Sequence, residues 1–460
     1  ALMLFSSITF LYYFLVVLLL VYFFSPKKYR NFILLVFSLL FYFLGEPKYI
    51  VILILSGVLN YFFGNMVLLK HKKFFLVVAC IYNIGLLLFF KYTDFFITNI
   101  NSLLGSNISL LYIVMPIGIS FFTFQALSYV IDIYNGKSKP ANSLIDFMTY
   151  LSLFPQLVAG PIVRYNDVFK ELVSREVNYD NFSYGVSRFI IGLSKKVLLA
   201  NVLGEFVGNL VDVNFLSSWL KPILFTLQIY FDFSGYSDMA IGLGKMFGFS
   251  FLENFNYPLI SSSITDFWRR WHISLSSWFR DYVYIPLGGN RVSKFKWIRN
   301  IMIVWFLTGF WHGASWNFII WGMYFGFILL IEKLYIGKYL KKTKVFKYIY
   351  SLLIIIIGFL IFNTTNVSDI INSVKNMFLI NKIPFYSLET LYYLRSNLVL
   401  LIVSILAATP LFKNVVLRVK KTKFKVVVDV LEPIVYIILL TLCTAFLIDA
   451  SFNPFLYFRF

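Results

Sequence analysis

Three features of the sequence predict an all-α polytopic membrane protein. Of its 460 residues 60% are hydrophobic and only 13% are charged, too little polar surface to cover a water-soluble body. Apolar runs approaching the roughly 20 residues that cross about 30 Å of hydrocarbon recur along almost the whole chain. Between them basic and non-basic loops alternate, the pattern that orients spans across a bilayer.

The spans predicted in order are 5–24, 31–44, 49–69, 74–92, 110–134, 184–210, 217–243, 301–331, 346–363, 396–412 and 428–449, roughly eleven transmembrane helices. The first has no basic leader and no small-residue cleavage site, so it reads as a retained span. Segments 26–30, 70–73, 137–139, 332–347 and 413–425 are basic, whereas 45–48, 93–107 and 363–390 carry few cations. This alternation places both termini of a multi-pass membrane protein outside. The net charge of +20 is spread between apolar spans; it fits cytoplasmic loops facing membrane lipid, not nucleic acid. Cys80 and Cys443 lie apart in apolar runs, which indicates neither a disulfide framework nor a metal site. His71 sits in a Lys-rich loop and reads as solvated.

With no internal repeat and no low-complexity linker, residues 1–460 form one membrane-embedded domain: N-terminal spans 1–134, a core 135–331 and C-terminal spans 332–460. Two stretches interrupt the spans. Phe154 to Arg164 is apolar but short, with two prolines and a glycine, and reads as a re-entrant or buried irregular piece. Glu253 to Arg299 is aromatic and charged, and belongs at the cytoplasmic face or dips beneath the spans that wall it.

Two of the three histidines lie in or beside this second stretch, each preceded by Trp. Ser263-Ile-Thr-Asp266 resembles a helix-capping signal, and Pro286 ends the helical possibility, so about twenty residues between them are expected to be helical. Trp268, Arg269, His272, Ser276 and Phe279 would then share a face, presenting an imidazole, a cation and a hydroxyl together. The same pattern also describes an interfacial helix with snorkelling Arg and belt Trp. His312 falls inside the uncharged run 301–331, where a titratable side chain is costly unless it faces protein or a water-filled cavity. If that run is one helix, His312 sits near the middle of the bilayer. Gly309 and Gly313 fit close helix packing and leave the imidazole unexplained. A third cluster, Gln228, Asp232, Ser234, Tyr236 and Asp238, places two carboxylates in an apolar span; it suits either a substrate path or a structural polar network.

Serine-hydrolase, zinc-protease, nucleotide-loop and dinucleotide signatures are absent, leaving proton-transfer catalysis on a bound substrate or transport. The run Trp268-Arg-Arg-Trp-His-Ile-Ser-Leu-Ser-Ser-Trp-Phe-Arg-Asp-Tyr-Val-Tyr-Ile-Pro-Leu-Gly-Gly-Asn-Arg291, with Thr308-Gly-Phe-Trp-His-Gly-Ala-Ser-Trp-Asn317, resembles the membrane-bound O-acyltransferase family, in its bacterial polysaccharide O-acetylation branch. Phe5-Ser-Ser7, Gly118 to Tyr129, Phe154 to Ile162, Gln228 to Gly248 and Pro454 to Phe460 extend the resemblance over nearly the whole chain.

The resemblance implies a central funnel with His312 catalytic and His272 supporting. The candidate substrate-lining residues are Gln228, Asp232, Ser234, Tyr236, Asp238, Trp268, Arg269, Arg270, Ser276, Arg280, Asp281, Tyr282, Trp311 and Asn317. It further implies acetyl-CoA or another acyl thioester as donor substrate, with no permanently bound cofactor. The expected partners are an extracellular SGNH-type acyltransferase or esterase and a surface polysaccharide acceptor. Arg269, Arg270, Lys294, Lys296 and Arg299 could attract the donor's phosphates or simply anchor the cytoplasmic face. The alternatives are a D-alanyl transferase of the teichoic-acid type using a carrier-protein thioester, and a non-catalytic transporter or scaffold.

Overall fold

A computed structural model describes residues 3–449 and Leu456. The terminal motif Pro454 to Phe460 therefore lies, Leu456 apart, outside the described residues. All regular elements among those described are helices. Five are long and apolar enough to cross a membrane: Lys27–Gly45, Lys72–Leu104, Trp316–Leu340, Phe346–Asn363 and Lys425–Asp449. A pair bent by 57°, Leu388–Ser396 and Leu398–Ala407, makes a sixth if it is one broken span.

Several expected spans take a different form. Phe10–Phe24, Ile50–Met66 and Ile119–Tyr134 are apolar but shorter helices. The expected loop from Thr93 is helical as far as Leu104, because the polar residues there lie on a helix that begins at Lys72. The stretch 184–210 is helical but loosens into a π-turn at Lys195–Asn201.

The described chain groups into two compact units, one running to Phe189 and including Tyr236–Glu253, the other comprising Ile190–Gly235 and the residues from Asn254 onward. The helices Tyr179–Ser194 and Phe215–Met246 contribute residues to both.

The first unit is built on aromatic packing. Phe5, Phe10, Phe14, Phe41 and Phe154 interlock with ring centroids between 4.9 and 6.1 Å apart, in tilted or edge-on geometries that avoid the face-to-face sandwich the ring quadrupoles disfavour. The buried amides Asn60 and Asn83 satisfy each other across two helices, at 3.1 and 2.7 Å. The Pro-containing stretch after Leu153 forms one short helical turn, Phe154–Leu157, and every residue through Val163 is buried. Its irregular backbone is tolerated because side chains take up its polar groups: Ser38 Oγ accepts from Phe154 N at 3.1 Å, and the Tyr150 hydroxyl donates to Val163 O at 2.9 Å.

The second unit carries a helical hairpin. The uncharged run 301–331 is not one continuous helix: Lys294–His312 stops at His312, Gly313 is extended, and a second helix, Trp316–Ile331, returns beside the first. The legs meet at Gly309 and Gly322, where a Cβ on Gly309 would lie 2.3 Å from Phe318 O and one on Gly322 2.3 Å from Trp305 O. Only glycine permits that approach. The close-packing reading of Gly309 holds, with the returning leg as its partner, and Gly313 packs against the Phe318 ring. The hairpin overturns the mid-helix placement of His312, which instead stands at the tip.

The helix expected between Asp266 and Pro286 is also broken. Ser263 caps as its motif suggests, Oγ accepting from Asp266 N at 3.0 Å. The helix then runs only from Ile264 to Trp268; a second begins at Ile273, and His272 between them adopts a left-handed backbone with φ of 46°. Trp268, Arg269, His272, Ser276 and Phe279 therefore do not share a helical face. Glu332 fastens the start of the first short helix to the end of the returning leg. Its buried carboxylate accepts from Ile264 N at 2.6 Å, Thr265 N at 2.9 Å and Thr265 Oγ1 at 2.8 Å, a negative charge on the positive end of a helix.

Candidate active site

Both candidate histidines belong to the second unit and both are buried, His272 at 1% and His312 at 6% exposure. Trp311 stands near both, its ring centroid 6.2 Å from that of His272 and 5.1 Å from that of His312. The His312 imidazole is walled edge-on by Trp321 at 5.0 Å and Phe362 at 5.3 Å. Asn317, in the first turn of the returning leg, holds the second wall: its Nδ2 donates to Phe362 O at 2.9 Å. Trp268 joins the cluster through Trp321, at 5.6 Å. Of the residues singled out from the sequence, the structure thus brings His272, His312, Trp311, Asn317 and Trp268 into one aromatic enclosure.

His272 is positioned by a residue the sequence did not single out. Asn254 Oδ1 accepts from Ser274 N at 3.2 Å and from Ser274 Oγ at 2.9 Å, and lies 3.2 Å from His272 Nδ1. The Ser274 backbone N–H can only donate, so it fixes the amide orientation; Nδ1 must then carry the hydrogen, and Nε2 is the acceptor nitrogen. Burial pushes the imidazole from 6.5 down to about 3, because the charged ring would lose its hydration. His272 is consequently neutral at physiological pH. The Phe233 ring packs edge-on against it at 4.7 Å.

The polar cluster around residues 228–238 divides between the units. Asp232, in the second, is ion-paired with Lys196 at 2.5 Å, both side chains 3% exposed, and accepts from Leu456 N at 2.8 Å. Gln228 and Ser234 are buried on the same helix. In the first unit Tyr236 stacks on Phe5 at 4.7 Å, and Asp238 pairs with Arg188, which also grips Glu253 at 2.6 Å. Both aspartates thus have cationic partners. Neither Lys196 nor Arg188 was singled out, although both fall inside the expected span 184–210, where a cation needs a partner.

The exposed charges lie elsewhere. Arg269 is exposed, Arg270 is half-buried and pairs with Asp266 at 3.0 Å, and Arg280 pairs with Asp281 at 2.6 Å. Arg299 donates to Asn300 Oδ1 at 2.9 Å, and Lys294 and Lys296 are exposed. Ser276 and Tyr282 are half-buried, the latter 5.0 Å from Trp278.

A buried neutral histidine and a second histidine at a hairpin tip, enclosed by aromatic rings, suit proton transfer shielded from water. Known proteins are similar to this chain in sequence. The family model for membrane-bound O-acyltransferases matches residues 139–367. The probable alginate O-acetylase AlgI of Azotobacter vinelandii is 39% identical over 377 residues, 79% of this chain and 76% of that one. The chain belongs to the membrane-bound O-acyltransferase family. The peptidoglycan O-acetyltransferase of Helicobacter pylori is 35% identical over 76% of this chain and 73% of its own. The teichoic acid D-alanyltransferase of Bacillus subtilis is 32% identical over 50% of this chain and 61% of its own. The protein is accordingly a multi-pass membrane enzyme that transfers acyl groups to oxygen.

Proposed function

We propose that this enzyme passes acetyl groups from cytoplasmic acetyl-CoA through the membrane for O-acetylation of an extracellular or cell-wall polysaccharide, with His312 as general base. The observation that carries this reading is the placement of His312, a buried imidazole at the tip of a hairpin whose outer ends are basic. From Arg299 to His312 the ascending leg rises about 20 Å, so a donor approaching the basic end and an acceptor approaching from the far side can meet there.

His312 takes the proton of the acceptor hydroxyl as its oxygen attacks the thioester carbonyl. A C–O bond forms, the C–S bond breaks, and the proton passes to the departing thiolate. General-base assistance of this kind contributes typically 100- to 10,000-fold. Neutral His272 supports the reaction from the donor side through its Nε2 acceptor. The basic residues from Lys294 to Arg299, with Arg269, hold the donor's phosphates. An extracellular SGNH-type partner completes delivery to the polymer.

Both termini are placed outside the inner membrane. Eleven simple crossings would separate them, whereas counting the hairpin legs as two crossings makes the total even and agrees with the loop charges. The more extensive likeness to O-acetyltransferases favours acetyl over D-alanyl as the group moved.

The test is transfer of label from radiolabelled acetyl-CoA in membranes containing this chain, its partner and polymer. His312→Ala at equal abundance is expected to lower transfer at least 1000-fold, within the range of general-base catalysis. Efficient use of a carrier-protein thioester and not acetyl-CoA would establish the D-alanyl reading. Passage of unmodified substrate without a donor would point to transport, and partner recruitment with no transfer to a scaffold.

A further inference from the structure

Trp321 has a property that its place in the aromatic enclosure does not explain. It is 1% exposed, and its indole Nε1 is buried with no hydrogen-bond partner among the described residues. An indole N–H is donor only, and buried donors are satisfied in the great majority of cases, so one left over beside a candidate base calls for an acceptor. The ring meets the His312 imidazole edge-on at 5.0 Å and Phe362 at 5.3 Å. Asn317, one helical turn earlier on the same face, fixes Phe362 through the bond from Nδ2 to the Phe362 carbonyl. The indole is therefore held by packing on rigid helices, as a preorganised donor must be.

We propose that Trp321 Nε1 donates the hydrogen bond that stabilises the oxyanion formed during acyl transfer at His312. This rests on the proposed function of the site. When the acceptor oxygen attacks the thioester carbonyl, the C=O electron pair moves onto the carbonyl oxygen. The hydroxyl proton goes to His312, and the C–S bond breaks as the carbonyl re-forms. The reacting carbon must lie about 3 Å from a hydroxyl that is itself in hydrogen-bond reach of His312. A donor on the ring bordering that imidazole is placed to meet the third atom, the carbonyl oxygen. Trp268 Nε1 is likewise buried without a partner among the described residues; of these two indoles Trp321 is the one whose ring borders the His312 imidazole, while Trp268 packs on Trp321, so the assignment goes to Trp321.

The experiment replaces the N–H alone. Suppression of a stop codon at position 321 introduces β-(benzothien-3-yl)alanine, which keeps both rings and puts sulfur in place of N–H; Trp321→Phe serves as the genetically simple companion. Radiolabelled acetyl-CoA is titrated in membranes with partner and polymer, and melting temperature is measured in detergent. Loss of an oxyanion donor is expected to lower kcat about 100-fold or more, with KM for acetyl-CoA and the melting temperature of the benzothienyl protein unchanged. A kcat within about threefold of the parent overturns the assignment, as does a raised KM at unchanged kcat, the signature of ground-state binding. His312→Ala measured in parallel separates the two claims. If it remains active the reading of the site fails, whereas an inactive His312→Ala beside a fully active benzothienyl protein removes only the role of Trp321.

Discussion

At the scale of single residues, the hydrogen bond from His272 Nδ1 to Asn254 fixes the tautomer of the imidazole, with Nε2 as its acceptor nitrogen. Asn254→Leu removes the acceptor and frees the imidazole to adopt either tautomer; acyl transfer is expected to fall about tenfold, the equivalent of one net hydrogen bond. Asn254→Asp keeps an acceptor but adds a negative charge, which favours the protonated ring and raises its pKa. Its activity should match the parent at pH 8 and decline as pH falls, whereas the parent, with His272 held down at about 3, shows no limb from this group between pH 5 and 8. A pH profile of the Asp variant identical to the parent would remove His272 from the reaction. The same burial links folding to protons. The unfolded chain binds a proton at His272 below about 6.5, and the folded chain does so only near 3, so stability is lost as pH falls through that window. Melting curves from pH 7 to 4 should show a smaller acid loss for His272→Gln than for the parent.

At the scale of elements, the hairpin and the buried ion pair hold the site. A side chain at Gly322 would meet Trp305 O at 2.3 Å, so Gly322→Val must separate the legs; loss of folded protein in detergent and of acyl transfer together is expected. Lys196→Met leaves Asp232 buried beside no cation, a cost of about 3–5 kcal/mol, whereas the double variant with Asp232→Leu should recover most of the melting temperature. The two histidines were legible because a titratable group in or beside apolar sequence is costly and must be explained. The hairpin was not, since Gly313, Ala314 and Ser315 are small and uncharged and interrupt neither hydropathy nor charge. Nor was Asn254, one amide in a polar stretch, whose partner 18 residues later is brought to it only by the left-handed turn at His272. The helix expected through His272 failed for the same reason: capping and periodicity describe ideal backbone, and a residue forced to positive φ leaves no mark in composition. The buried stretch after Leu153 was legible because two prolines in a short apolar run forbid a span.

At the scale of the whole molecule, membrane topology depends on whether 294–331 crosses once or turns back. One crossing would put the basic ends of this stretch, 294–299 and 332–347, on opposite faces, contrary to the cation bias of loops. A hairpin keeps both on the cytoplasmic face and leaves His312 at the far end of its legs, accessible to a hydroxyl arriving from outside. Single cysteines introduced at Ser293, Lys344, Thr365 and Thr422, in a protein carrying Cys80→Ala and Cys443→Ala, distinguish the arrangements by labelling with a membrane-impermeant maleimide. Ser293, Lys344 and Thr422 are expected to resist label until the inner membrane is opened, and Thr365, beyond the Phe346–Asn363 helix, to label in intact cells with a permeabilised outer layer. Labelling of Ser293 and Lys344 from opposite faces would make the stretch a single crossing and return His312 to mid-membrane. With both protected, the acceptor's hydroxyl must reach His312 from the side opposite the thioester, which is what moving an acyl group across the membrane requires.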